Sequence, residues 1–183
     1  SGDVVAAKEK PATGGAVQAG TGKKVYLTFD DGPSKETEKI LDILKKRQVK
    51  ATFFSIGRDD AFSKKMYQLI VKEGHTLGMH SYSHQYKEIY QSMDAFQADY
   101  ERISNCLTAA TGIKPLYYRF PGGSTEATEK LQMTGLDAYF NAQGASYFDW
   151  NVIAANNTTD DVSVNKMVDS VMNGVALYDT SIV

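Results

Sequence analysis

Along the chain, short unbroken apolar runs alternate with longer stretches in which apolar residues recur at threes and fours. Lys24 to Phe29 carries β-branched and aromatic residues and predicts a strand, broken by Asp30-Asp31-Gly32-Pro33. Ser34 suits an N-cap, with Glu36 and Glu38 in the first turn of a helix whose stripe is Ile40, Leu41, Ile43 and Leu44. Ala51 to Ile56 predicts a second strand, closed by Gly57. Ala61 to Lys72 predicts a helix with Phe62, Met66, Leu69 and Ile70 inward and Gly74 as its stop. Thr76 to Met79 reads as a third strand. A longer helix spans roughly Ser92 to Ala110, with Met93, Phe96, Tyr100, Ile103 and Leu107 on one face and Gly112 at its end. Further strands are expected at Leu116 to Phe120, weakly at Ala138 to Phe140, and at Ser146 to Val152. Helices are expected at Glu126 to Met133 and from Asp160-Asp161 to about Met172. Ser181-Ile182-Val183 reads as a strand beginning.

The strands are continuous apolar runs, which indicates a parallel sheet covered on both faces by helices. The fold class is therefore α/β, of the β/α kind. Ser1 to Gly22 is rich in Ala, Gly, Lys and Thr with no aromatic residue, and reads as a flexible linker or stalk before a domain at 23–183.

Composition narrows the classes. The 183 residues are enough for one domain with a sizeable core, and 42% hydrophobic content is ordinary for a globular protein. Lys+Arg (20) and Asp+Glu (22) nearly balance, which argues against a nucleic-acid partner. No apolar run approaches the ~20 residues of a membrane span, and no signal peptide is visible, as in a mature or trimmed chain. The single cysteine, Cys106, rules out an internal disulfide and reads as a buried thiol.

The chemistry concentrates in few places. All three histidines, His75, His80 and His84, lie within ten residues of one another. His80 and His84 stand four apart, a spacing that on a helical turn points both imidazoles one way and suits a metal such as Zn²⁺. Asp30 and Asp31 end the first strand, although Asp-Gly is also ordinary turn chemistry. Asp30, Asp31, His80, His84, Arg119 and Trp150 all fall at or after C-terminal strand ends, the face on which β/α barrels place their sites. One aspartate and two imidazoles make a three-ligand site that leaves a position open. The other aspartate can accept a proton from an attacking water, and Arg119 can hold that base ionised.

These residues resemble the polysaccharide deacetylases with a NodB-homology domain, the family-four carbohydrate esterases. The resemblance runs from Lys24 to Val183 through Thr28-Phe29-Asp30-Asp31-Gly32, then Gly74-His75-x-x-Gly78 with His80-Ser81-Tyr82-Ser83-His84, then Arg119-Phe120-Pro121-Gly122-Gly123, then Asp149-Trp150-Asn151. It implies a distorted, incomplete (β/α) TIM-like barrel of the NodB type and a catalytic pair in Asp30 (base) and Arg119. It also implies a metal site of Asp31, His80 and His84 for Zn²⁺ or another divalent ion such as Co²⁺. Tyr118, Pro121, Gly122 and Trp150 would contact substrate, with a backbone N–H near Gly122 facing the oxyanion and Trp150 at the acetyl pocket. His75 and Asn156 would support the site from behind. The implied partner is an N-acetylated glycan polymer, and the implied reaction is N-deacetylation of its N-acetylglucosamine units. The motif forms look most like Gram-positive peptidoglycan deacetylases, which suits an extracellular or cell-surface monomer.

Two departures stand out. The family's last motif, Leu-x-His-Asp, supplies the general acid, and no histidine follows His84. Either Leu177-Tyr178-Asp179 is a degenerate version, or Ser181-Ile182-Val183 opens the strand that runs into that motif and the chain stops short. The strand character of Ser-Ile-Val, against a helix end expected at Asn173-Gly174, favours the second. Asn156 stands where many relatives carry the aspartate that orients the histidine. The expectation is a formed metal site, weak turnover, and an incomplete last strand with an exposed edge; the alternative is a non-catalytic glycan-binding relative.

Overall fold

The computed structural model describes residues 22–155 and 162–183. The chain opens with β1 (Lys24–Tyr26) and β2 (Thr28–Asp30), then α1 (Lys35–Arg47), β3 (Thr52–Ser55), α2 (Ala61–Lys72) and β4 (Thr76–Met79). It continues through α3 (Tyr86–Ile89), α4 (Met93–Thr111), β5 (Tyr117–Tyr118), α5 (Ser124–Thr128), α6 (Met133–Gln143), β6 (Ser146–Tyr147), α7 (Val164–Leu177) and β7 (Thr180–Ile182).

Helix ends follow their capping chemistry. Ser34 caps α1 in a reciprocal box with Thr37, and the left-handed Gln48 closes it after a basic last turn. Asp60, Ser92 and Ser163 accept N–H groups at the starts of α2, α4 and α7. Gly112 and Gly144 take left-handed φ at the ends of α4 and α6.

Five strands form one parallel sheet in the order β2-β3-β4-β5-β6, and β1 pairs with β7 in a separate parallel ribbon. The result is an α/β fold whose barrel is not closed by a continuous ladder. β7 is paired on one side with β1. On its other side, the Asn151 and Val152 N–H groups both donate to the Ile182 carbonyl. The Asn151 side chain accepts from the Ile182 N–H at 2.8 Å and donates to the Thr180 carbonyl at 3.0 Å, standing in for a strand bridge.

Side chains alternate along the sheet, as the pleat requires. Phe53, Leu77, Met79 and Tyr118 point to the helices and join the core with Leu41, Ile70, Phe96, Tyr100, Ile103 and Phe140. The other face holds Asp30, Phe54, Gly78, His80 and Arg119. Gly78 is required there, since an added Cβ would lie 2.6 Å from the Phe54 ring.

Several expectations are corrected. The strand expected over Lys24–Phe29 is two strands divided at Leu27, because β1 pairs with β7 while β2 pairs with β3. The strand expected at Ala138–Phe140 is the middle of α6, whose Leu136 and Phe140 are buried one helical turn apart. The helix expected at Glu126–Met133 is the short α5 plus the start of α6. Helix α7 begins at its Ser163 cap, and Asp160 and Asp161 lie outside the described residues. It also runs through Asn173-Gly174 to Leu177, with Gly174 against Val152, where a Cβ would lie 2.6 Å from a methyl. Of the linker expected at Ser1–Gly22, all but Gly22 is outside the described residues.

Candidate active site and metal centre

Strands β2, β4 and β5 end on the same edge of the sheet, with β3 between the first two, and deliver Asp30 and Asp31, His80 and His84, and Arg119 to one mouth. The β4 ladder continues through the His80 N–H, which donates to the Ser55 carbonyl at 2.9 Å. The chain then leaves as a loop, not the helical turn that the spacing of His80 and His84 suggested. Ser81 (φ 71°) and His84 (φ 56°) are left-handed on this loop, as is Asp31 (φ 69°) beyond β2. Each such residue costs about 1–2 kcal/mol and persists where surrounding bonds fix it.

The loop nevertheless brings the two imidazoles together. Asp31 Oδ1 lies 3.3 Å from His80 Nε2 and 3.1 Å from His84 Nε2, and one donor atom from each residue lies within 4.8 Å of the others. Ligand atoms at zinc bonding distance from a tetrahedral centre stand about 3.3 Å apart, so the set fits a Zn²⁺-sized ion. His80 Nδ1 is 2.7 Å from the Arg119 carbonyl oxygen, which makes it the protonated nitrogen and leaves Nε2 as the lone-pair donor. The two imidazoles hold the Asp31 carboxyl well below the usual carboxylate range, the contact with His80 contributing most.

Arg119 is the hub of the second half of the site. It is almost wholly buried, at 2% exposure. Its Nη1 donates to Asp30 Oδ1 at 2.9 Å and to Thr28 Oγ1 at 2.6 Å. Nε and Nη2 donate to the Phe148 and Asp149 carbonyls at 3.0 and 3.1 Å. Burial lowers the guanidinium pKa and the adjacent Asp30 carboxylate opposes that shift; an arginine stays charged regardless. The guanidinium lies over the Phe54 ring at 4.4 Å, with the Trp150 ring at 5.4 Å.

The remaining expected residues divide. Trp150 sits against Gly123, whose φ of 89° and closeness to the indole (3.3 Å from an added Cβ) both call for glycine. Gly122 is exposed at the tip of the same turn, between Tyr86 and Glu126. Pro121 is buried and its carbonyl accepts the Tyr90 hydroxyl at 2.8 Å, so it shapes this turn and does not line an open surface. Tyr118 is fully buried on the helix side against Phe96, Tyr100 and Phe140, because the pleat that sends Arg119 into the mouth sends its neighbour into the core. It is not placed to contact substrate. His75 is at the other end of β4 from His80. Its Nδ1 accepts the Ala51 N–H at 3.2 Å and its ring meets Phe53 edge-on at 5.6 Å, so it does not support the site. Asn156 is outside the described residues.

Two carboxylates at the site were not anticipated as organisers. Asp149 accepts the Ser124 N–H at 2.9 Å and the Ser124 hydroxyl, tying the end of β6 to the Pro121–Gly123 turn. Asp99, on α4, accepts three bonds from the His80–His84 loop. The only sequence signal for Asp99 is an acid three residues after Phe96 and one before Tyr100, beside the apolar stripe.

Residues 18–139 match the polysaccharide deacetylase family, and the chain belongs to it. A peptidoglycan-N-acetylglucosamine deacetylase from Bacillus cereus is 32% identical over 150 residues, covering 81% of this chain and 54% of that protein. The chain spans about half the length of the curated relatives it matches. Among solved structures, the catalytic domain of a peptidoglycan N-acetylglucosamine deacetylase from Eubacterium rectale superposes with a TM-score of 0.81 at 38% identity, covering 91% of this chain and 78% of that one. A CE4 esterase from Streptococcus mutans gives 0.78 at 30% identity, covering 88% and 73%.

Proposed function

We propose that this chain is a divalent-metal-dependent hydrolase that removes N-acetyl groups from N-acetylglucosamine units of a polysaccharide, peptidoglycan first. The observation that carries the reading is the meeting of Asp31, His80 and His84 beside the Asp30–Arg119 pair. Asp31, His80 and His84 would hold Zn²⁺ or another divalent ion such as Co²⁺. When bound, such an ion polarises the acyl oxygen and acidifies a water. Asp30 takes the proton of the water that attacks the acetyl carbon; the C–N bond then breaks as the nitrogen gains a proton, from the protonated Asp30 or from solvent, and acetate and the free sugar amine leave. Arg119 keeps Asp30 ionised and aimed. The Gly122 N–H donates to the oxyanion, and Trp150 walls the acetyl methyl. The relatives named as peptidoglycan deacetylases support the choice of polymer; with a cell-wall substrate, the protein would act outside the cell or on its surface, as a monomer.

A second reading, glycan binding without turnover, draws on one observation: the chain has no histidine outside the 75–84 window. Within residues 1–183, protonation of the leaving amine has no histidine donor, and loss of a general acid costs about 10²–10⁴-fold. The test is acetate release from peptidoglycan and from N-acetylglucosamine oligomers with Zn²⁺ or Co²⁺ added. Slow, chelator-sensitive release that falls a further ~10²-fold or more in Asp30→Asn supports the hydrolase. Polymer binding with no metal-dependent acetate supports the second reading and overturns the first.

A further inference from the structure

The loop between the two histidines is irregular backbone, yet the separation of their Nε2 atoms decides whether a cation fits. Ser81 and His84 are both left-handed, so the loop needs an outside constraint to hold one shape. The Gly57 N–H donates to the Ser81 carbonyl at 3.1 Å and Asp59 accepts the Tyr82 hydroxyl; the rest of the constraint, and all of it on Ser83, comes from α4. Asp99 Oδ2 accepts the Ser81 hydroxyl at 2.6 Å and the Tyr82 N–H at 2.9 Å, while Oδ1 accepts the Ser83 N–H at 2.9 Å. Ser81 Oγ in turn accepts the His84 N–H at 2.9 Å. Three donors from three consecutive residues meet on one carboxylate, and His84 is fastened to the same cluster through a single hydroxyl.

We infer that Asp99 is a positioning residue for the metal centre: it fixes where His84 presents its imidazole to Asp31 and His80 while touching neither. This rests on the metal-site reading above. The chemistry calls for a carboxylate. Both oxygens are acceptors, and each faces at least one backbone N–H. An amide of the same shape turns its NH₂ toward the Ser83 N–H in one orientation and toward the Tyr82 N–H in the other. Asp99→Asn therefore preserves packing and loses at least one bond to the loop. The role lies outside the site itself, since the ligands are supplied by β2, β4 and the loop, and α4 is otherwise a core helix.

The experiment uses the full chain and two readouts: Co²⁺ affinity by competition with a chelator, and the Tm of the metal-free protein. Asp99→Asn is expected to weaken Co²⁺ binding about 10-fold and Asp99→Ala up to about 100-fold, the range for groups that orient metal ligands. The visible spectrum of bound Co²⁺ should shift with them. Ser163→Ala, which removes the cap of α7, a helix with no bond to the histidine loop, is the control: it lowers Tm and leaves Co²⁺ affinity unchanged. Should Asp99→Ala fail to fold, the isosteric Asp99→Asn decides. Variants that bind within about twofold of the parent overturn the inference, as does a Ser163→Ala control that loses affinity equally. A parent that binds no Co²⁺ overturns the metal reading and this inference together, whereas a binding parent with unchanged variants overturns this inference alone.

Discussion

β4 carries a histidine just beyond each end, and the two have nothing in common but the residue. At the floor, His75 is buried, gives one nitrogen to the Ala51 N–H and lays its ring against Phe53. At the mouth, His80 is equally buried, but its Nδ1 is fixed by a carbonyl and its Nε2 faces a carboxylate and a second imidazole. The floor is apolar and asks its histidine only to satisfy one donor. The mouth gathers charges from strands that end together, so the same side chain there becomes part of a donor set. Position along a parallel strand, more than residue type, separates a packing histidine from a ligand.

The comparison is tested hardest at Arg119. Replacing it by Met removes the partner of Asp30 and Thr28 and frees the Phe148 and Asp149 carbonyls, all in one step. Asp30 keeps 28% side-chain exposure, so the loss of its partner lies below the ~3–5 kcal/mol of a fully buried pair, and the freed carbonyls add to it. His75→Ala at the floor frees the Ala51 N–H alone, at about 1–3 kcal/mol. Urea denaturation of both variants measures the gap. Equal losses would show that the mouth is no more tightly coupled than the floor.

Metal binding sharpens the contrast next. Zn²⁺ at about 100 times its Kd should stabilise the parent by about 2.7 kcal/mol, reversed by a chelator. His80→Ala should abolish that gain. His75→Asn should keep it whole. A thermal scan with and without Zn²⁺ reads both, and a lost response in His75→Asn would mean that the floor histidine matters to the site after all.

How far the sequence reaches follows from the same division. α1, α2 and α4 are legible because caps and apolar stripes are local chemistry, and the Asp30–Asp31, His80–His84 and Arg119 groups are legible because each ends an apolar run. What a residue pairs with across the fold is not written locally. Leu27 looks like the middle of a strand, yet the residues before and after it pair with β7 and β3. Tyr118 adjoins Arg119 in the motif, and only the pleat shows that it belongs to the core. The helical spacing of the two histidines suggested the right convergence by the wrong route, since a loop held by Asp99 achieves it. His75 belongs to the Gly74-His75-x-x-Gly78 run of the resemblance, and only the length of β4 shows that it lies at the opposite end from His80.

The smallest effect isolates His75 itself. Burial lowers its pKa from 6.5, and the nearby Lys50 charge adds to the shift. The unfolded chain, with an ordinary histidine, therefore takes up its proton at a higher pH than the folded one. Between the two values the unfolded state holds more protons, so stability falls as pH falls. The contribution is fully present above 6.5 and declines from there down to the folded value. His75→Asn removes the titration while its amide oxygen can still take the Ala51 N–H. Urea midpoints on either side of 6.5 should drop more steeply in the parent than in the variant as the solution is acidified. A parent and variant with parallel pH profiles would mean that the floor is wetter than the contacts of His75 imply.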